Sequence, residues 1–122
     1  MTIARQRLGL DGETLACGEL DRLGYAIVER RYRTRFGEID IIAIDAGTVV
    51  FVEVKTKTSS DFGDPVEEVT PQKQRRLVSM GQAYAAFSCP PNTPCRFDVV
   101  AVDLSGAEPR ITLYKDAFRP GW

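Results

Sequence analysis

Carboxylate and ammonium side chains recur at regular positions in the stretch Gly37–Lys57, which reads GEIDIIAIDAGTVVFVEVKTK. If this stretch folds back on itself, Asp40 comes to lie opposite Glu53. Directly opposed residues on paired strands have Cβ atoms about 4.5–5.5 Å apart, so two carboxylates there repel unless a positive charge lies between them. Hard divalent cations such as Mg²⁺ take oxygen ligands, and the pair therefore indicates a candidate metal site.

A β-hairpin is predicted here because both arms are rich in Ile and Val and Gly47 can adopt the positive φ of a tight turn. When Asp45 faces Thr48, Glu38 lies opposite Lys55 and shares the face of the acidic pair. The opposite face then carries apolar residues, namely Ile39, Ile41, Val52 and Val54. A shift of one residue would mix the two sets, so the pattern selects this register.

The same charges have a second interpretation, an exposed sheet face on which Glu38 and Lys55 form an ordinary salt bridge. In the predicted register Ile42 and Phe51 oppose each other on the charged face. That face is therefore expected to be covered at one end. The spacing of the charged residues leaves the metal site and the simple salt bridge both open.

Composition narrows the function classes. The chain has 122 residues, which suits one domain spanning residues 1–122. It contains no histidine, which excludes Ser-His-Asp and Cys-His catalysis and histidine zinc sites. No apolar run has membrane-spanning or signal-peptide length, so we expect a cytoplasmic protein without membrane association. Reduced thiols are expected for Cys89 and Cys95, which flank a Pro-rich loop.

Basic residues are concentrated in two runs although the net charge is −1. One run follows Glu29 and contains an aromatic residue, and the other begins at Lys73. Local patches rather than net charge decide nucleic-acid binding, while solvated surface is the alternative explanation for each run. The residues predicted to bind nucleic-acid phosphates are Arg31, Arg33, Arg35, Lys57, Lys73, Arg75 and Arg76.

The first helix is predicted over Asp11–Leu23, with Asp11 as N-cap and Gly24 beyond its end. Glu13 lies on the buried face of this helix by its spacing from Ala16 and Leu20. A carboxylate at that position either interacts with the positive end of its own helix or reaches into a site.

A second helix is predicted from Thr70 as N-cap and Pro71 at the first helical position to about Phe87. Lys73 lies one turn before Leu77 on its buried face, so its ammonium group can reach a site at that end. The remaining predicted elements are a strand at Tyr25–Arg33, a loop at Thr58–Val69 and strands at Phe97–Val102 and Ile111–Tyr114. The order αβββαββ favours an α/β fold with one mixed sheet of about five strands flanked by helices.

Four motifs resemble those of the bacterial YraN-like family of uncharacterised proteins, in the same order and within a match from Gly12 to Phe118. The motifs are GEID at Gly37–Asp40, VFVEVKTK at Val50–Lys57, VTPQKQRRL at Val69–Leu77 and RFDVVAVD at Arg96–Asp103. Two residues depart from the pattern. Ile39 stands where the related nuclease motif often has proline, and Arg31 stands where YraN-like proteins usually have asparagine.

The YraN-like family resembles the restriction-endonuclease-like fold and archaeal Holliday-junction resolvases, which implies a three-layer α/β/α domain. The superfamily motif is an Asp, then Glu-x-Lys, joined by a carboxylate from the first helix. By this resemblance Asp40 and Glu53 bind Mg²⁺ or Mn²⁺, with the Val54 carbonyl as a further ligand. Lys55 then positions or activates the attacking water, and Glu13 is the helix carboxylate.

The resemblance therefore implies a Mg²⁺-dependent endonuclease acting on DNA, with branched, resolvase-like substrates among the candidates. No small-molecule cofactor is expected, and a homodimer that presents two sites is plausible. Two alternatives stay open. One is a nucleic-acid-binding module that keeps the nuclease fold without cleavage, and the other is a protein-interaction or assembly subunit.

Overall fold

The computed structural model describes residues 3–59 and 63–120, with side chains described from residue 11 onward. The element order αβββαββ agrees with the prediction. The elements are α1 (Ile3–Arg22), β1 (Ala26–Thr34), β2 (Gly37–Asp45), β3 (Thr48–Lys57), α2 (Pro71–Ser88), β4 (Cys95–Asp103) and β5 (Arg110–Tyr114).

The five strands form one sheet in the order β1-β2-β3-β4-β5. Neighbours are antiparallel except for β3 and β4, which are parallel and joined through α2. Parallel neighbours require such a crossover, so α2 must pack on one face of the sheet. The predicted α/β fold with a mixed sheet is confirmed.

Each face of the sheet is covered by one helix. Ala16 and Leu20 of α1 pack with a buried aliphatic cluster that includes Ile41 and Val52. Leu77 and Met80 of α2 pack on the other face, in a cluster of aromatic and aliphatic residues around Phe51, Phe97 and Phe118. Each buried aliphatic or aromatic side chain contributes about 1.5–3 kcal/mol, so the two clusters hold the three layers together.

The prediction that the first helix begins at Asp11 is wrong, because α1 begins at Ile3. The preceding residues IARQRLGL contain no proline and several strong helix formers, so the helix continues through Asp11. The predicted end of this helix, just before Gly24, is confirmed. Gly24 has a φ of +93°, and the Tyr25 amide donates to the Leu20 carbonyl at 2.9 Å, which satisfies the last turn.

Local sequence features also explain where α2 begins and where the hairpin turns. The Thr70 hydroxyl accepts a hydrogen bond from the Lys73 amide at 3.2 Å, as predicted for an N-cap. Ala46 and Gly47 have φ values of 50° and 85°, as a two-residue hairpin turn requires.

The predicted β2–β3 register is confirmed from Asp45–Thr48 to Ile41–Val52, where the ladder stops. Beyond this point the Val54 amide donates to the Asp40 carboxylate at 2.8 Å, so a side chain takes the place of the ladder. The side chains of β2 no longer alternate strictly between the two faces of the sheet there. Ile39 packs with Phe51 on the α2 face, and the prediction that it lies on the opposite face is wrong.

Within residues 3–59 and 63–120, neither helix combines the length and the hydropathy that crossing a lipid bilayer demands.

Candidate active site

The point where β2 and β3 separate opens a cavity of about 230 Å³ beneath the first turns of α2. Asp40 reaches it from β2, Glu53 from β3 and Lys73 from α2. Its full lining is Gly37, Glu38, Asp40, Glu53, Lys73, Arg76, Leu77 and Met80. Three separate elements therefore bring charged side chains to one small volume.

Asp40 and Glu53 are brought together, as the hairpin pattern predicted, and both line this cavity. Burial raises the pKa of Asp40 well above its ordinary value, and the neighbouring Glu53 raises it further. The Glu53 side chain is 4% exposed. Two carboxylates held close together out of water are stabilised by a proton or by a neighbouring cation.

Lys73 forms an ion pair with Glu53 through Nζ and Oε2. Burial alone would lower the pKa of Lys73, but the charge and hydrogen bond of Glu53 reverse this effect and raise it. Sequence reasoning assigned Lys73 to nucleic-acid phosphates, and the structure shows it paired inside the carboxylate cluster. Its place one turn before buried Leu77 was the signal that it could reach the site.

Lys55 is half-buried on β3, two residues beyond Glu53. Burial lowers the pKa of its ammonium group, and the nearby Lys73 ammonium lowers it further, against the opposing effect of Glu53. Lys55 is therefore a neighbour of Lys73 and Glu53, although it does not line the cavity itself.

Glu13 of α1 faces the same cluster from the other helix. The residue is 9% exposed, and this burial raises the pKa of its carboxyl group. The positive charges of Arg31 and Arg30 oppose the rise in pKa. The negative charges of Glu38 and Glu53 add to it. The Arg30 guanidinium donates to the Thr14 hydroxyl at 3.2 Å, which ties α1 to β1 beside Glu13.

The predicted pairing of Glu38 with Lys55 is wrong. Glu38 lies beyond the last ladder pair and forms ion pairs with Arg33 at 3.3 Å and Arg31 at 3.7 Å on β1. Arg31 has a φ of 54°, a region that asparagine enters more readily than most residues. This geometry agrees with the asparagine that YraN-like proteins usually have at this position.

The predicted phosphate-binding residues do not all gather at the cavity. Arg76 lines it, and its Cδ lies 3.7 Å from the position that a Cβ would take at Gly37. Arg75 is exposed on the adjoining turn of α2, and Arg35 lies at the β1–β2 tip. Lys57 is not brought together with them. It forms an ion pair with Asp103 of β4 at 3.5 Å.

Comparison with known proteins assigns the family. A model of the uncharacterised protein family UPF0102 matches residues 12–102. The UPF0102 protein of Chlorobaculum parvum is 48% identical over 104 residues, which cover 85% of this chain and 80% of that protein. The UPF0102 protein of Geobacter metallireducens is 42% identical over 118 residues, or 97% of each. The chain belongs to the UPF0102 family. The YraN-like resemblance is thereby confirmed.

The donor set of this UPF0102 protein fits a divalent cation with an incomplete protein cage. Across residues 3–59 and 63–120, no three acidic, cysteine or histidine side chains converge closely enough to enclose a metal. Asp40 and Glu53, which line one cavity, provide hard oxygen donors. Mg²⁺ is usually held by one or two carboxylates plus waters and substrate phosphates, which is the arrangement that this pair can support.

Val54 contacts the pair through its amide nitrogen, which donates to Asp40 Oδ2. This hydrogen bond fixes the Asp40 carboxylate toward β3. Ligation of a metal by the Val54 carbonyl stays a prediction for this UPF0102 protein.

A larger cavity of about 710 Å³ lies elsewhere in this UPF0102 protein, between the start of β4 and the segment after β5. None of the predicted site residues lines it. Its charged side chains are already engaged in ion pairs, since Arg119 binds Asp116 and Arg96 binds the buried Asp98 at 2.9 Å. We therefore assign the chemistry to the smaller acidic cavity.

Proposed function

We propose that this UPF0102 protein hydrolyses phosphodiester bonds of DNA with Mg²⁺ or Mn²⁺ bound by Asp40 and Glu53. The convergence of these two carboxyl groups on one cavity beneath α2, with Lys73 paired to Glu53, is the observation that carries the proposal. Perturbed acidic groups in a cleft are typical of catalytic sites. The family resemblance adds the Asp and Glu-x-Lys motif but establishes no activity by itself.

The groups in and around the cavity have different roles in this proposal. Asp40 and Glu53 hold the cation, which when bound polarises the phosphate and lowers the pKa of water. Lys55, whose pKa burial lowers, orients the attacking water and stabilises the negative charge that develops on the phosphate. Glu13 reaches the cluster from α1 and accepts a hydrogen bond or a proton there, because burial raises its pKa.

The basic residues around the cavity supply the proposed DNA contacts. Arg76 lines the cavity itself, while Arg75 and Arg35 are exposed on either side of it. Arg31 and Arg33 are partly neutralised by Glu38, so their contribution is expected to be smaller. Contacts of this kind bind phosphates without reading sequence, and the affinity falls steeply with salt.

A second candidate function is DNA binding without cleavage. The observation that favours it is the ion pair of Lys73 with Glu53, which satisfies a buried carboxylate with a cation from the chain itself. In this case DNA binding would survive Asp40→Asn and Glu53→Gln.

Cleavage assays decide between the two functions. Labelled flaps, four-way junctions, single strands and duplexes are incubated with Mg²⁺ or Mn²⁺. The nuclease proposal expects products from the wild type and none from Asp40→Asn or Glu53→Gln, while Glu108→Gln, an exposed carboxylate before β5, keeps wild-type activity. Equal products from all four proteins would indicate a contaminant, and a blank wild type that still binds DNA would support the second function.

A further inference from the structure

The β1–β2 hairpin ends in a tip of two residues, Arg35 and Phe36, which adjoins the acidic cavity. Thr34 pairs with Gly37 at the end of the ladder, so the two tip residues form the whole connection. Gly37, which directly follows Phe36, is one of the residues that line the cavity. Consecutive Cα atoms are about 3.8 Å apart, so the Phe36 backbone lies at the cavity rim.

The tip backbone is held by hydrogen bonds. The Phe36 amide donates to the Thr34 hydroxyl oxygen at 3.0 Å, and this hydroxyl donates to the Gly37 carbonyl at 3.1 Å. Gly37 has a φ of +140°, a conformation that side-chain-bearing residues rarely adopt. The ring of Phe36 is therefore carried on a defined backbone, not on a long unsupported loop.

The Phe36 ring lies outside both core clusters and the residue is 62% exposed. Leaving an aromatic ring in water costs hydrophobic free energy, so its position at a cavity rim calls for an explanation. The Arg35 guanidinium lies over the ring, 5.1 Å from its centroid. Arg33 lies at the same end of the hairpin with its side chain 77% exposed, although Glu38 partly neutralises its charge.

We infer that Phe36 stacks on an unpaired base next to the phosphate that occupies the acidic cavity. This inference rests on the proposed function, because it takes the cavity as the site of phosphodiester cleavage. An aromatic ring with arginines beside it matches the two parts of a nucleotide, a π-face and a phosphate. In an intact duplex the base faces are covered by their neighbours, so Phe36 favours DNA with an unpaired nucleotide at the scissile position.

Phe87 provides a matched control. It is 91% exposed, so its removal takes a similar apolar ring from water. It lies near the end of α2, seven positions after Met80, the α2 residue beside Gly37, which corresponds to about 10 Å along the helix. An effect of Phe36→Ala that Phe87→Ala does not reproduce is therefore specific to the hairpin tip.

The test uses two DNAs, a gapped duplex with 2-aminopurine as its unpaired base and the matching full duplex. Binding is measured by anisotropy and 2-aminopurine fluorescence, with Ca²⁺ replacing Mg²⁺. Phe36→Ala should weaken binding to the gapped DNA by about 5- to 100-fold, with little effect on the duplex. Phe36→Tyr should restore binding and quenching of the base, and Phe87→Ala should match the wild type.

Equal weakening on both DNAs, or no change on either, would overturn the inference. A change in sedimentation caused by Phe36→Ala would also overturn it, because the ring would then belong to a contact between copies of the chain. The outcome is separable from that of the proposed function. Wild type that binds gapped DNA through Phe36 without cutting it would refute the nuclease and keep the stacking contact, and wild type that binds neither DNA would refute both.

Discussion

Lys73 on α2 and Glu53 on β3 form an ion pair across the cavity, between a partly exposed ammonium group and an almost fully buried carboxylate. The pair links the helix to the strand that carries the Glu-x-Lys motif. It also gives the metal-free site an internal cation, so that a bound divalent ion must share Glu53 with Lys73 or displace it. The stability of the site and its metal affinity are therefore coupled.

Replacing Lys73 by methionine should lower the free energy of unfolding by about 1–3 kcal/mol, because the Glu53 carboxylate is left buried without its partner. Urea unfolding followed by circular dichroism measures this change. Lys115→Met, which removes a more exposed ion pair with Asp45 at 3.5 Å, should have a smaller effect. Added Mg²⁺ should stabilise Lys73→Met more than Lys115→Met, because only the first variant lacks the cation beside Glu53, and an equal response in both variants would speak against the coupling.

Asp40→Asn should stabilise the metal-free protein at neutral and alkaline pH. The pKa of Asp40 is raised in the folded state, so the stability that this group contributes is present at low pH. It is lost as pH rises from the ordinary value near 4 through the raised value. The gain in Tm over wild type should therefore grow between about pH 5 and pH 8.

Thermal unfolding of both proteins across this pH range, without divalent metal, measures the effect. Asparagine keeps an oxygen that can accept from the Val54 amide, so the local structure should survive. Glu38→Gln, an exposed carboxylate at the same cavity, serves as the control. A gain in Tm that is independent of pH would show that charge is not its cause.

The basic residues should differ in their effect on DNA binding. Arg76→Ala removes a cation from the cavity wall and should lower affinity on every DNA, with the slope of log affinity against log salt reduced by about one unit. Lys57→Ala should leave both quantities near wild type, because Lys57 is paired with Asp103 away from the cavity. Anisotropy titrations at several salt concentrations compare the DNA affinities of the two variants. Equal losses of affinity would mean that the bound DNA extends along β3.

Gly12 controls how closely α1 approaches β3. A Cβ at this position would lie 2.1 Å from the Thr56 hydroxyl oxygen and 3.3 Å from its Cβ, so Gly12→Ala must displace the helix beside Glu13. We expect a loss of about 1–3 kcal/mol in the free energy of unfolding, measured by urea titration. Gly18→Ala on the same helix meets nothing within 4 Å and should be neutral or stabilising.

Local pattern predicted the hairpin well. Alternating Ile and Val residues and the Asp45–Thr48 turn predicted the register as far as Ile41–Val52, and Asp40 and Glu53 line one cavity just beyond that pair. The pattern failed where the ladder ends, because the hydrogen bond from the Val54 amide to Asp40 arises only in the folded chain. Ile39 then packs on the face of α2, which alternation alone could not indicate.

Contacts between elements were harder to predict. Spacing placed Lys73 on the buried face of α2, but it did not show that Glu53 on another element would be its partner. Glu38 was assigned to Lys55 by extending the register, and its actual partners belong to β1. Glu13 was placed at the cluster by the family resemblance, and its burial beside Arg31 is a property of the folded arrangement.

Titration of Mn²⁺ by calorimetry, on wild type and on the Asp40→Asn/Glu53→Gln double variant, tests the central claim most directly. The titration is repeated with a short single-stranded oligonucleotide present, since substrate phosphates complete such sites. The account predicts one binding site in the wild type, with affinity at least about tenfold weaker in the double variant. Equal binding to both proteins, or none to the wild type with the oligonucleotide present, would contradict a metal site at Asp40 and Glu53.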